Sequence, residues 1–227
     1  MKISALVLPA LATIAVASSE DPPFPKLAST FTMKEALWYP DPAASGSSNV
    51  TRDMVWDTVG RRSYYYAHFP RGLPGQGTTP AFEIQLKRCD LATPVFWDVK
   101  GDPTADPSTY SCYKKTGDAM KSDCPEKWKE FWAPIDPKRI TFNGTDVING
   151  VSCNKFELQD GMGQQTFWAT ATAPCRAITT HQREDYPTFD ATTPPASAFD
   201  GPAWLKDLKC THVDSTTEMP PQQRLSF

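Results

Sequence analysis

The chain is poor in the features that usually announce chemistry. It has only three histidines in 227 residues. His68, His181 and His212 are scattered without ligand spacing, which argues against a structural zinc site. There is no G-x-S-x-G elbow, no H-E-x-x-H, no P-loop and no dinucleotide fingerprint, so the enzyme classes that depend on them are excluded. Charge of one sign is not concentrated anywhere. Arg61 and Arg62 form a pair only, Arg176 and Arg183 are isolated, and the formal net charge is −3. No nucleic-acid or anionic-membrane footprint follows from that pattern. After the first residues no apolar run approaches the roughly 20 residues that a transmembrane helix needs.

What is present begins with residues 1–17. Lys2 gives a short positive start, residues 3–16 are almost wholly apolar, and Ala15 and Ala17 are the small residues a signal peptidase prefers. The expectation is a signal peptide and a secreted, extracellular product. Six cysteines (Cys89, Cys112, Cys124, Cys153, Cys175 and Cys210) all lie beyond the leader. An even count in an oxidising compartment points to three disulfides, with the pairing left open. Asn49-Val50-Thr51 and Asn143-Gly144-Thr145 are N-glycan acceptors, so Asn49 and Asn143 are expected to carry sugar. Residues 18–210 are long enough for one sizeable domain and carry no domain-sized linker or repeat. Residues 211–227 read as a flexible tail.

The periodicity is that of strands. In residues 142–175, Phe156 and Leu158 alternate with Lys155, Glu157 and Gln159, and Phe167, Ala169 and Ala171 alternate with Trp168 and threonines, about a turn at 160–165. Upstream, residues 31–39, 49–59, 61–69, 81–88 and 95–99 read as further strands. The clearest, 81–88, turns Phe82, Ile84 and Leu86 inward and Glu83, Gln85 and Lys87 outward. The reading is a mainly β, antiparallel sheet with one covered and one wet face. Residues 101–116 read as turn-rich. Asp123, Pro125 and Glu126 are suited to start a short covering helix whose stripe is Cys124, Trp128, Phe131 and Trp132. Beyond Tyr186 the chain reads as coil, with Phe189, Phe199, Trp204, Leu205 and Leu208 as anchors along a core edge.

The series Asn149-Gly150-Val151-Ser152-Cys153, then Phe167-Trp168-Ala169-Thr170, Pro174 and Cys175, resembles the secreted ependymin-related and LolA-like proteins. So do Tyr186-Pro187-Thr188-Phe189-Asp190, the stretch Pro195 to Phe199 before Cys210, and the strand Arg61 to Tyr66. The likeness covers mainly residues 142–210. It implies a strongly curved antiparallel half-barrel with one or two short helices near its open side, enclosing an apolar cavity for a lipid-like ligand. Some members of the family are associated with calcium and with glycosylation, and similar modules precede papain-like proteases in some protists. This chain departs from the pattern in a Pro-rich spacer at 192–202, in the insertion at 101–116, and in lacking a protease domain.

The candidate chemistry is thin. Asp98, Asp102 and Asp106 recur every four residues as weak calcium candidates, without the EF-hand glycine and closing Glu; no other cofactor is expected. His181 near Glu184 and Asp185 is the compact acid–imidazole group. A thiol nucleophile is outweighed by disulfide pairing. The seven tryptophans suit either a solid core or an apolar pocket. The expected function is therefore non-enzymatic: a secreted binding protein holding a hydrophobic small molecule or lipid against the sheet, among Phe82, Ile84, Leu86, Phe156, Leu158 and Phe167. An extracellular structural domain, binding a protein or glycan, is the second reading, and a secreted hydrolase with an unrecognised site is the third.

Overall fold

The computed structural model describes residues 21–40, 47–70, 81–128, 131–132, 135–160, 163–179 and 182–213. The leader, His181 and most of the expected tail lie outside them. The strands are β1 (Thr30–Pro40), β2 (Ser47–Asp57), β3 (Arg62–Phe69), β4 (Ala81–Arg88), β5 (Val95–Gly101) and β6 (Ser111–Thr116). They continue with β7 (Ile140–Ile148), β8 (Val151–Asp160), β9 (Gly163–Ala169), β10 (Pro174–Ile178), β11 (Arg183–Asp190) and β12 (Thr211–His212).

All twelve strands lie in one sheet, in the order β12-β6-β5-β4-β3-β2-β1-β11-β10-β9-β8-β7. Two antiparallel meanders, β1 to β6 and β7 to β11, meet where β1 pairs with β11. The short parallel pair of β12 with β6 completes the order. Local turn chemistry sets the hairpins. Between β7 and β8, Asn149 and Gly150 both take positive φ, 51° and 81°, in a two-residue connection closed by the pair Ile148 and Val151. Between β2 and β3, the Asp57 carboxylate accepts the Gly60 amide at 2.8 Å and Arg62 Nε at 2.9 Å.

Register decides the two faces, because directly opposed residues share one. Phe31 lies opposite Trp56, Met33 opposite Met54 and Phe189, and Met54 opposite Tyr65. Farther along, Ala177 opposes Phe167, which opposes Phe156. This is face A. On the reverse, face B, Ile84 opposes Tyr66 and Val99, Leu86 opposes Tyr64 and Trp97, and Val99 opposes Cys112.

Each face has its own cover, and the topology explains why. Since β6 and β7 lie toward opposite ends of the sheet, residues 117–139 must traverse its width. The described residues of this connector lie over face A, with Met120 and Trp128 beside Phe96, and Phe131, Trp132 and Ile135 against the cluster of Phe31, Phe156 and Phe167. Phe24 and Leu27 of the lead-in join that cluster. Residues 191–210 return from β11 to β12 over face B, setting Phe199 and Leu205 on Phe82, Ile84, Leu86 and Val99. Disulfides anchor both covers: Cys89–Cys124 ties the first to the end of β4, and Cys112–Cys210 ties the second to β6. Cys153–Cys175 joins β8 to β10 across β9.

Several expectations are corrected. The sheet is open, with two ends, and is neither closed nor strongly curved, so it is not a half-barrel. Face B stays wet over β1 and β2, where Lys34 pairs with Asp53 in solvent, but over β3 to β6 it is covered as well as face A. Glu83, Gln85 and Lys87 are half-buried on face A, where Lys87 lies 5.7 Å from the Phe96 ring centroid and 5.9 Å from that of Trp128. No α-helix occurs among the described residues. The described residues of the expected helix from Asp123 are turn, bend and coil, because its cysteine is bridged to the end of β4 and its aromatics reach separate parts of face A. The short helical elements are 3-10 turns at Pro107–Thr109, Gly117–Met120, Pro137–Arg139, Ala196–Phe199 and Ala203–Asp207. Residues 111–116, within the turn-rich stretch, form β6, and β11 continues past Tyr186 to Asp190.

Candidate functional site

The six residues expected to line a pocket fall into two groups. Phe82, Ile84 and Leu86 lie on face B, while Phe156, Leu158 and Phe167 lie on face A. A pocket draws on one triplet or the other. Asp98, Asp102 and Asp106 serve separate ends. Asp98 is buried on β5, Asp102 accepts from Thr104, and Asp106 caps the turn at Ser108. Among the described residues no group of three or more His, Cys, Asp or Glu is placed to hold a metal ion. All six cysteines are bridged, leaving no thiol nucleophile. His68 is half-buried in β3 and His212 is exposed; Asn49 and Asn143 are both exposed. Trp168, opposite in face to Phe167, is buried. It donates to Asp146 at 2.8 Å, and Lys155 Nζ lies 5.6 Å from its ring centroid.

The residues that sequence reasoning passed over are charged groups in apolar register. In β1 the face-A series is Phe31, Met33, Glu35, Leu37, and in β2 it is Val50, Arg52, Met54, Trp56. Glu35 and Arg52 therefore occupy core positions directly opposite one another, with their side chains 0% and 5% exposed. Arg52 Nη1 donates to Glu35 Oε2 at 3.3 Å, and its guanidinium carbon lies 5.7 Å from the Tyr65 ring centroid. On the other flank of β1, Glu184 of β11 is 1% exposed. The Tyr186 hydroxyl donates to Glu184 Oε2 at 2.6 Å, and Gln182 Nε2 donates to its other oxygen. The signal that would have found this site is a charge interrupting a period-two apolar run, on two strands at once.

Two carboxyls and one guanidinium share this interior. With both carboxylates ionised the trio carries one uncompensated negative charge, which burial makes costly. Burial pushes the Glu35 carboxyl up to about 8; Arg52 opposes the shift and Glu184 adds to it. Burial also raises Glu184, against hydrogen bonding from Tyr186 and the charge of Arg52. Tyr186 is held well above the usual phenol range by burial and by the two carboxylates. Near neutral pH one proton is thus shared by Glu35 and Glu184, and the trio is neutral. The two carboxyls lie within hydrogen-bonding reach of one another, so the shared proton bridges them.

The carboxyl pair adjoins an aromatic layer. Tyr186 belongs to both, with its ring centroid 6.2 Å from that of Trp132 and its hydroxyl on Glu184. Beyond Trp132 the layer continues through Phe31–Phe131 and Phe24–Phe156, each 5.1 Å between centroids, and Trp56–Trp128 at 5.0 Å. Face A therefore sets an aromatic layer beside the charged trio of β1, β2 and β11. A second buried acid on the same face, Asp98, is raised to about 6 by burial, against Lys100 and with Glu83. Its Oδ1 has no partner.

Fold and site together define a β-sheet domain with three disulfides and a proton-bearing carboxyl pair inside one of its two cores. Comparison with known proteins adds little to that class. No family model matches the chain, and no curated protein matches it. Among solved structures, an outer membrane lipoprotein-sorting protein domain from Vibrio parahaemolyticus is similar at 10% identity and a TM-score of 0.28, over 75% of this chain and 88% of that one. A DUF1329 family protein from Desulfovibrio piger is similar at 10% identity and a TM-score of 0.29, over 76% and 89%. This is a weak, partial likeness to LolA-like sorting domains, and it carries no functional argument. Among the described residues no helix is long and apolar enough to cross a membrane.

Proposed function

We propose that the protein is a secreted, non-catalytic binding domain that holds an apolar ligand with a hydrogen-bond-donating end, an amine or hydroxyl, against face A. The observation that carries this reading is the meeting, at Tyr186, of the aromatic layer with the buried Glu35–Glu184 carboxyl pair. A cationic amine seated beside the pair would replace its proton and balance the second carboxylate. The apolar body of the ligand would take the place of Phe24 and Trp132, which pack directly on Phe156 and Phe167. The leader residues and the bridged cysteines support a secreted product.

The second reading, an extracellular structural or partner-binding domain with a filled core, is favoured by the direct ring contacts across face A. Native mass spectrometry of the secreted protein, followed by solvent extraction, separates the two. The expected result is a bound small molecule released on unfolding, and saturable uptake of a fluorescent long-chain amine that Glu35→Gln weakens about tenfold. Absence of both a guest and saturable uptake overturns ligand binding and leaves the filled-core domain.

A further inference from the structure

An open sheet leaves an outer strand at each end. At one end β6 is covered by β12, by the disulfide Cys112–Cys210, and by the Val213 amide on the Lys114 carbonyl at 3.0 Å. At the other end β7 pairs with β8 on one side, and no described strand lies on the other. Thr141 is exposed, and so is every residue from Asn143 to Val147. A row of strand N–H and C=O groups is a template for another chain, and proteins blunt such edges with Lys, Pro, bulges or cover. The sequence of β7, ITFNGTDVI, contains neither Lys nor Pro. Its charge, Asp146, is engaged by the Trp168 indole at 2.8 Å.

One local device is present. Register breaks between Phe142 and Thr145, where Gly144 takes φ 81°, so β7 bulges at its middle. The bulge coincides with the glycan acceptor Asn143-Gly144-Thr145. Asn143 is exposed, and its weak contact at 3.4 Å with Glu157 places the side chain over face B beside the edge. A pairing strand would have to lie about 4.8 Å from β7, within the volume swept by a sugar rooted on Asn143.

We propose that Asn143 carries an N-linked glycan whose role is to cap the bare edge of β7, keeping a second copy of the chain from pairing there. The proposal rests on the secretory leader and the sheet order and is independent of what face A binds. Asn49, the other acceptor, lies on the interior strand β2 and serves as the control.

The test uses full-length protein secreted from eukaryotic cells. Peptide mass mapping should find hexosamine on Asn143. Sedimentation velocity should show a monomer for the wild type and Asn49→Gln, and dimers or larger species growing with concentration for Asn143→Gln. Enzymatic removal of glycans from folded wild type should give the same association, which covers the case in which the variant fails to fold. Adding Val147→Lys to Asn143→Gln should restore the monomer. An unmodified Asn143, or a monomer that persists after deglycosylation at the concentrations used, overturns the proposal.

Discussion

Replacing Glu35 with Gln isolates the proton held in the interior. Glu35 titrates at about 8 in the fold, against an ordinary 4.5. A carboxyl raised in this way binds its proton more tightly folded than unfolded. Its contribution is fully present below pH 4.5 and is lost as pH rises through 8. The full span, about 3.5 units at 1.36 kcal/mol each, is about 5 kcal/mol, and a little over half of it falls between pH 6 and pH 9. The wild type is therefore expected to lose roughly 3 kcal/mol over that range. In Glu35→Gln the proton held by Glu35 is gone, Glu184 faces Arg52 without a second carboxyl, and the loss is expected to fall well below that of the wild type. Urea unfolding followed by tryptophan fluorescence at pH 6, 7, 8 and 9, with disulfides intact, measures it. A wild type whose stability changes by less than about 0.5 kcal/mol across the range, or a variant with the same slope as the wild type, refutes the shared proton.

The two covered faces make two further predictions. Phe82→Ala and Phe156→Ala each remove a buried ring, at 2% and 1% exposure, and each should cost about 3–5 kcal/mol. Because the rings sit in separate cores, the double variant should equal the sum of the singles within about 0.5 kcal/mol; a larger coupling in a denaturation cycle contradicts the assignment to opposite faces. Replacing Cys112 and Cys210 together with Ala removes the tether of the face-B cover, with an expected loss of about 2–5 kcal/mol. Limited proteolysis should then cut first within residues 191–210, and first cleavage on the face-A connector would contradict that role.

Much of the local structure was legible. Phe82, Ile84 and Leu86 alternating with Glu83, Gln85 and Lys87 marked β4 at its observed bounds. Alternation is a property of neighbouring residues, so it reads directly from the chain. The strand β6, SCYKKT, was not legible, because its pattern carries one apolar inward residue, Cys112. The helix expected at Asp123 failed for a related reason. Capping residues and an aromatic stripe describe what a free segment favours, and the bridge to Cys89 and the spread of contacts over face A override that preference.

The candidate site was half written in the sequence. Glu35 between Met33 and Leu37, and Arg52 between Val50 and Met54, mark charges in core register on two strands. That Glu184 completes the group depends on β1 lying beside β11, a pairing between segments about 150 residues apart that no local period encodes. The same pairing joins the two meanders into one open sheet and sends residues 117–139 across face A. The sequence by itself determined the strands, their two-sidedness and an even set of cysteines. Only the tertiary structure decided that face B is covered over β3 to β6 as well, since a side chain of either face is apolar or polar by composition, whereas its partner is chosen by where distant chain returns.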